Sequence, residues 1–186
     1  MFMCRLDPLK GCFCLIFIAI LAVSAQAKVG PVPIEHMIKS SDLIVVGKVS
    51  KTHDVGGVEF ANVEILQTLK SNPHTTLTYS AERTWPCDMS DAVETETALF
   101  FFKTYEIGPS FRRNSEQAVL FKESVAKIFN IDDLFRLAYD GRGRMPITLS
   151  GGERNLSINP SVIMPKGLGN GMTEIIDFTS KVLADS

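Results

Sequence analysis

The sequence predicts a mainly β domain, a small antiparallel barrel or sandwich, with a short helix near its N-terminus and a second helix at its C-terminus. Three observations predict it. About seven short segments have strand length and strand-like patterning, and turn signals recur between them at close spacing. No alternation of strands with helices appears, so a parallel sheet is not called for.

The elements follow in order. After a linker at Pro31, the residues Ile34, Met37 and Ile38 fall at i, i+3 and i+4, one apolar stripe of a short helix. Pro33 suits its first position. Leu43 to Thr52 is the clearest strand, apolar on both faces in its first half. Gly47 in mid-strand predicts a bulge or bend, the device that lets one strand serve two sides of a small barrel. Gly56-Gly57 is a hairpin turn, and Glu59 to Leu69 returns with Ala61, Val63 and Ile65 alternating against polar residues. Thr75 to Ser80 makes a third strand. Glu82 to Glu96 is polar and irregular. Ala98 to Phe102 (ALFFF) is apolar on both faces and predicts a central strand. Ala118 to Ile131 reads as strands, with a turn over Asn130 to Asp133. Leu134 to Tyr139 and Met145 to Leu149 read as a hairpin around Asp140-Gly141. Asn155 to Met164 gives an edge strand interrupted by Pro160, and Thr173 to Leu183 an amphipathic helix.

The first 27 residues read differently. Arg5 and Lys10 precede an apolar run of 12 residues, Cys12 to Val23, and Ala25-Gln26-Ala27 is a small-x-small cleavage site. This is the pattern of a secretory signal peptide, and the run is short for a membrane span, which takes about 20 residues. Residues 1–27 are therefore expected to be cleaved and 28–186 to form a single domain, exported to the periplasm or the extracellular space. Cleavage would remove Arg5, Lys10 and Asp7, taking the balance from 19 Lys and Arg against 21 Asp and Glu to 17 against 20. That near-neutral surface gives no reason to expect nucleic acid as a partner, and no membrane anchor is expected after cleavage. Cleavage would also take Cys4, Cys12 and Cys14, leaving Cys87 without an internal disulfide partner.

The run Ser41 to Val49 (SDLIVVGKV), the hairpin, and Asn62 to Lys70 (NVEILQTLK) resemble the five-stranded barrel of tissue inhibitors of metalloproteinases and netrin-type modules, as it occurs in uncharacterised bacterial exported proteins. The loop with Trp85 and Cys87 and the strand ALFFF continue the likeness, which covers Asp42 to Lys103; Gly141 to Pro146 (GRGRMP) resembles a segment of such exported proteins. The resemblance implies an OB-like barrel. The inhibitory mechanism does not carry over. In that family a cysteine at the mature N-terminus binds the target's zinc, whereas Lys28, Val29 and Gly30 stand here, and the family's disulfides are missing.

Few residues carry chemistry. Cys87 is open to three readings: an intermolecular disulfide that links a dimer, a reactive thiol, or a small buried hydrophobe beside Trp85. His36, His53 and His74 have no motif around them to supply a base for a thiol nucleophile. Asp88, Asp91, Glu94 and Glu96 would offer oxygen ligands to a cation or stand as a solvated loop. Neither a metal nor a cofactor is expected, because no ligand spacing for one occurs. Arg142 and Arg144 flank Gly143 at a turn; they would grip an anion or lie exposed, and Arg112-Arg113 is a second basic pair. Asn155-Leu156-Ser157 matches a glycosylation acceptor, relevant only in a eukaryotic secretory pathway. The expected binding residues are Trp85, Cys87, Arg142 and Arg144. The expected function is a soluble exported binding or interaction module without catalysis, its partner an envelope or extracellular protein or a small ligand. The alternative is a hydrolase or thiol-dependent enzyme built on Cys87.

Overall fold

The computed structural model describes residues 30–71, 75–84 and 88–186. The expected leader lies outside the described residues, as do His74, Trp85 and Cys87. Within Pro31–Ser186, β1 (Val32–Pro33) leads into α1 (Ile34–Ser40), followed by β2 (Leu43–Val55), β3 (Val58–Lys70), β4 (Thr76–Ser80) and β5 (Thr97–Thr104). Then come α2 (Ser115–Ala126), β6 (Leu134–Leu137), β7 (Arg144–Ser150), β8 (Glu153–Leu156), β9 (Val162–Ile163) and α3 (Met172–Ala184).

Five strands close a barrel in the order β2-β3-β4-β6-β5, with β5 pairing back onto β2. Every pairing within the barrel is antiparallel except β4 with β6. This is an OB-like barrel with added strands and helices. Closure depends on β2, which is long enough to pair with β3 along its length and with β5 through Leu43–Lys48. The register shifts between Val46 and Gly47, as the mid-strand glycine predicts. A Cβ at Gly47 would press into Val63 Cγ1 and sit 3.0 Å from the Glu64 carbonyl.

The two-faced apolar strands have a simple cause. One face of β2 and β5 fills the barrel with Val45, Val49, Phe100 and Phe102, joined there by Val63, Leu77 and Tyr79. The other face, with Ile44, Val46, Leu99 and Phe101, is covered by Met37 and Ile38 of α1 and Ile175 and Val182 of α3. A third cluster sits under α2, where Phe121 and Val125 meet Phe60, Tyr105 and Leu134. Inside the barrel the rings of Phe100 and Phe102 stack at 5.3 Å, and Tyr79 tilts against Phe102 at 5.5 Å. Lys70, at the end of β3, holds α1 in place: its ammonium donates to the carbonyls of Ile38, Lys39 and Ser41 at 3.2, 2.9 and 2.6 Å, placing a cation at the helix C-terminus.

Two expectations are corrected. The stretch 118–131 is not strand; helix α2 covers it as far as Ala126 and a turn follows, the helix opened by a capping box in which Asn114 accepts from the Gln117 N–H and Gln117 accepts from the Asn114 N–H. Nor do β6 and β7 form a hairpin with each other. They lie end to end along one edge of β5, with Phe102–Thr104 pairing to Leu137–Phe135 and Ala98–Phe100 to Pro146–Arg144. Phe101 bridges the gap, donating to the Gly143 carbonyl and accepting from the Ala138 N–H. Residues 139–142 bulge outward between them, with Tyr139, Asp140 and Gly141 all at positive φ.

Candidate functional site

That bulge explains the glycines and arginines of Gly141 to Pro146. Gly141 has φ +86°, and a Cβ there would collide with the backbone of Met89 and lie 2.6 Å from Ser90 N. Gly143 leaves no room either, since a Cβ would sit 2.5 Å from the Phe101 carbonyl. The bulge therefore packs directly on the connection between β4 and β5, and the Met89 N–H donates to the Asp140 carbonyl. Neither arginine is an exposed turn residue. Arg142 is only 3% exposed. Arg144 places Nε 3.4 Å from Glu96 Oε2 and donates through Nη1 to the Asp91 carbonyl. These contacts clamp the connection and leave Arg144 engaged with protein groups. Trp85 and Cys87 belong to the same connection but lie outside the described residues.

The four acids of that connection also diverge. Asp88 is buried, with Oδ2 accepting from the N–H and hydroxyl of Thr84 and Oδ1 from those of Ser90. Asp91 pairs with Arg83, whose hydrogen bond holds the carboxyl below its usual range. Glu94 accepts from the N–H and hydroxyl of Thr52. Burial pushes the Glu96 carboxyl up, against the nearby charge of Arg144. Among the described residues, no group of three or more His, Cys, Asp or Glu is placed to hold a metal ion.

Two features escaped the sequence reading. The first is a buried ion pair. Glu82, with no side-chain exposure, faces Arg113, at 8%, in a two-pronged contact of 2.5 and 2.8 Å. The same carboxylate accepts from the Tyr105 and Ser110 hydroxyls. Arg113 also donates to the Gly108 carbonyl at 2.9 Å and lies 4.2 Å above the ring of Phe121. Burial, then the bond to Glu82 and its charge, push Tyr105 up to about 12. With its lone pairs occupied, Glu82 is a tie between the β4–β5 and β5–β6 connections. Beside it a cleft of about 410 Å³ opens, lined by Thr84, Thr104, Tyr105, Glu106, Arg113 and Arg136. Arg113 stood in the sequence as half of a basic pair; nothing local pointed to Glu82.

The second is a groove of about 350 Å³ on the barrel wall, where β3 and β4 meet the segment leading into β6. Asn62 and Thr78 form one side, Phe129, Asn130 and Asp133 the other, with Phe135 and Leu77 at the seam. Thr78 Oγ1 donates to Asn62 Oδ1 at 3.0 Å, which leaves the Asn62 amide NH2 to donate to His53 Nε2 at 3.2 Å. The His53 ring meets Phe129 edge-on at 5.7 Å, and Asn130 Nδ2 donates to Asp133 Oδ2 at 2.6 Å. Among the described residues, neither His36 nor His53 hydrogen-bonds to a hydroxyl or thiol that it would activate. No family model matches this chain, and no curated protein matches it.

Proposed function

We propose that the chain is an exported, non-enzymatic binding module, and that its ligand is an uncharged, hydroxyl-rich molecule of saccharide type held in the groove where β3 and β4 meet the segment leading into β6. The single observation that carries this is the composition of the groove. The rings of Phe129 and Phe135 line it together with amide and hydroxyl groups of Asn62, Asn130, Thr76 and Thr78, and Asp133 is the one charged side chain in that lining. Aromatic faces take the C–H faces of a sugar ring, while amides and hydroxyls serve its hydroxyls. The volume of about 350 Å³ falls within the range of small-ligand sites. Position supports the reading by analogy: β3 and β4 are the second and third strands of the barrel, the face on which OB-type barrels take ligands. The apolar run before Ala25-Gln26-Ala27 supports export.

The test is an array of oligosaccharides probed with the mature chain, followed by calorimetry on any hit. Phe129→Ala and Asn62→Ala are expected to lower affinity at least tenfold, measured well below each variant's own unfolding midpoint because Phe129 also packs on Phe60. A hit whose affinity is untouched by both substitutions, or no hit on the array, overturns the proposal.

A further inference from the structure

We infer that His53, which stands beside the groove, is the positioning residue that sets its hydrogen-bonding polarity, and that a proton on the ring reverses that polarity. The inference deepens the proposed function and rests on it for the ligand, though not for the relay itself.

The relay runs from His53 on β2 through Asn62 on β3 to Thr78 on β4, and its last two members line the groove. Asn62 and Thr78 are directly opposite in register, while His53 sits one step along the β2–β3 hairpin. The Asn62 amide turns an acceptor to one neighbour and a donor to the other. Both neighbours can play either part: a hydroxyl donates or accepts, and a neutral imidazole nitrogen does one or the other according to its tautomer. The three groups therefore have two fully bonded arrangements. In the one the structure holds, Thr78 Oγ1 donates to Asn62 Oδ1 at 3.0 Å and Asn62 Nδ2 donates to His53 Nε2 at 3.2 Å. That arrangement requires a neutral ring with its proton on Nδ1. In the other the amide is turned over, so that the Nε2–H of His53 donates to Oδ1 and Nδ2 donates to Thr78 Oγ1. The oxygen and nitrogen of an amide are nearly the same size, so the turnover asks little of the packing.

An imidazolium permits only the second arrangement, because both of its nitrogens are donors and two N–H groups would otherwise face each other. Histidine is the side chain that ordinarily changes charge between pH 5 and 8. The ring also meets Phe129, a wall of the groove, edge-on at 5.7 Å, which keeps the relay against the site. The charged groups on the elements packed around the ring are Lys51 on the same face of β2, Glu94 of the β4–β5 connection, whose carboxyl feels the charges of Lys51 and His53, and Lys127, Asp132 and Asp133 on the connection that carries Phe129. Asp54 and its cross-strand partner Glu59 point to the other face of the hairpin. Among the described residues none of these forms an ion pair with His53, and the Asn62 amide is its hydrogen-bond partner.

The two arrangements offer a ligand different groups. In the observed one the Thr78 proton is spent on Asn62, and Oγ1 is left to accept from a ligand hydroxyl. After the turnover Oγ1 accepts from Asn62 and its own proton is released to donate. A ligand fitted to the first arrangement meets the wrong polarity in the second and loses about fivefold in affinity, the weight of one net hydrogen bond. By reciprocity, that ligand moves the titration of His53 to lower pH.

The test has two arms, both on the mature chain. The first needs no ligand: NMR of the ring nitrogens and the side-chain amides through an acid titration. At pH 7.5 the bare nitrogen of His53 is expected to be Nε2, and the Asn62 amide signals are expected to move together with the His53 titration. The second arm is calorimetry with an oligosaccharide selected on the array at pH 7.5. Its affinity is expected to be about fivefold weaker at pH 5.5. His53→Phe, which keeps a ring against Phe129, is expected to abolish that dependence, and His36→Phe to retain it. A proton on Nε2 at pH 7.5, Asn62 signals indifferent to His53, or a pH dependence that survives His53→Phe overturns the inference. An array without a hit sinks the saccharide reading alone, and the first arm then decides the relay.

Discussion

Replacing Glu82 by Ala is the most demanding test of how this barrel holds its long connections. The side chain is fully buried and Arg113 nearly so. Truncation leaves the guanidinium with one carbonyl, that of Gly108, and the ring of Phe121. A buried ion pair broken on one side costs about 3–5 kcal/mol, because the surviving charge is uncompensated. Tyr105 and Ser110 lose their acceptor at the same time. The upper half of that range is therefore expected, a large share of the 5–15 kcal/mol or so that typically holds a domain. At about 2–4 °C per kcal/mol for a domain of this size, the midpoint should fall by about 8–20 °C. Urea unfolding followed by fluorescence gives the free energy directly. Replacing both partners, Glu82→Leu with Arg113→Met, should recover most of the loss, since no charge is then stranded. A Glu82→Ala variant within about 1 kcal/mol of wild type, or a double variant no better than the single, would refute the reasoning.

Two further outcomes follow from the same contacts. Tyr105 keeps its proton in the folded chain up to about 12, whereas the unfolded chain releases it near 10.0; stability is fully present below pH 10 and falls by about 3 kcal/mol as pH rises towards 12. Urea midpoints at pH 8, 10 and 11.5 should show that slope in wild type and a shallower one in Tyr105→Phe, the remainder coming from Tyr79, which burial also raises; equal slopes contradict it. Gly141→Ala should destabilise by about 2–4 kcal/mol, combining left-handed strain with a collision against backbone. Gly57→Ala, at φ +79° with open space around it, should lose only about 1 kcal/mol, and equal thermal shifts in the two variants would show that the packing on Met89 is not what matters.

The barrel was legible because its strands announce two burial environments. Leu43 to Val46 and Ala98 to Phe102 are apolar on both faces since one face fills the barrel and the other lies under α1 and α3. Gly47 marked the bend through the close approach of Val63. Helix α2 was missed because Val119 and Leu120 are both 59% exposed, which blurs its apolar stripe and makes the segment look like strand. The Asn114-x-x-Gln117 capping box was the signal available. The turn at Asp140-Gly141 was read from a real left-handed conformation, yet turn chemistry does not say what the flanking strands pair with. Here the free edge of β5 outcompeted the local hairpin.

The site was less legible for a deeper reason. Glu82 and Arg113 lie 31 residues apart on different connections, and no local pattern links a glutamate to the arginine it will meet. What the sequence does show is that the connections after β4 and β5 are long, and long connections inside a small barrel need something to fix them. In this chain the fixing groups are ionic. Glu82 with Arg113 ties one connection to the other, while Arg144 and the Tyr139–Arg142 bulge hold the first against β5. Both the groove and the cleft beside Glu82 take residues from the second connection, Phe129 and Asn130 in one and Tyr105, Glu106 and Arg113 in the other. The same buried pair supports both places: loosening Glu82 from Arg113 would disturb the cleft, whose wall includes Arg113, and would reach the groove through Phe121, which packs on both Arg113 and Phe60, the ring that also meets Phe129.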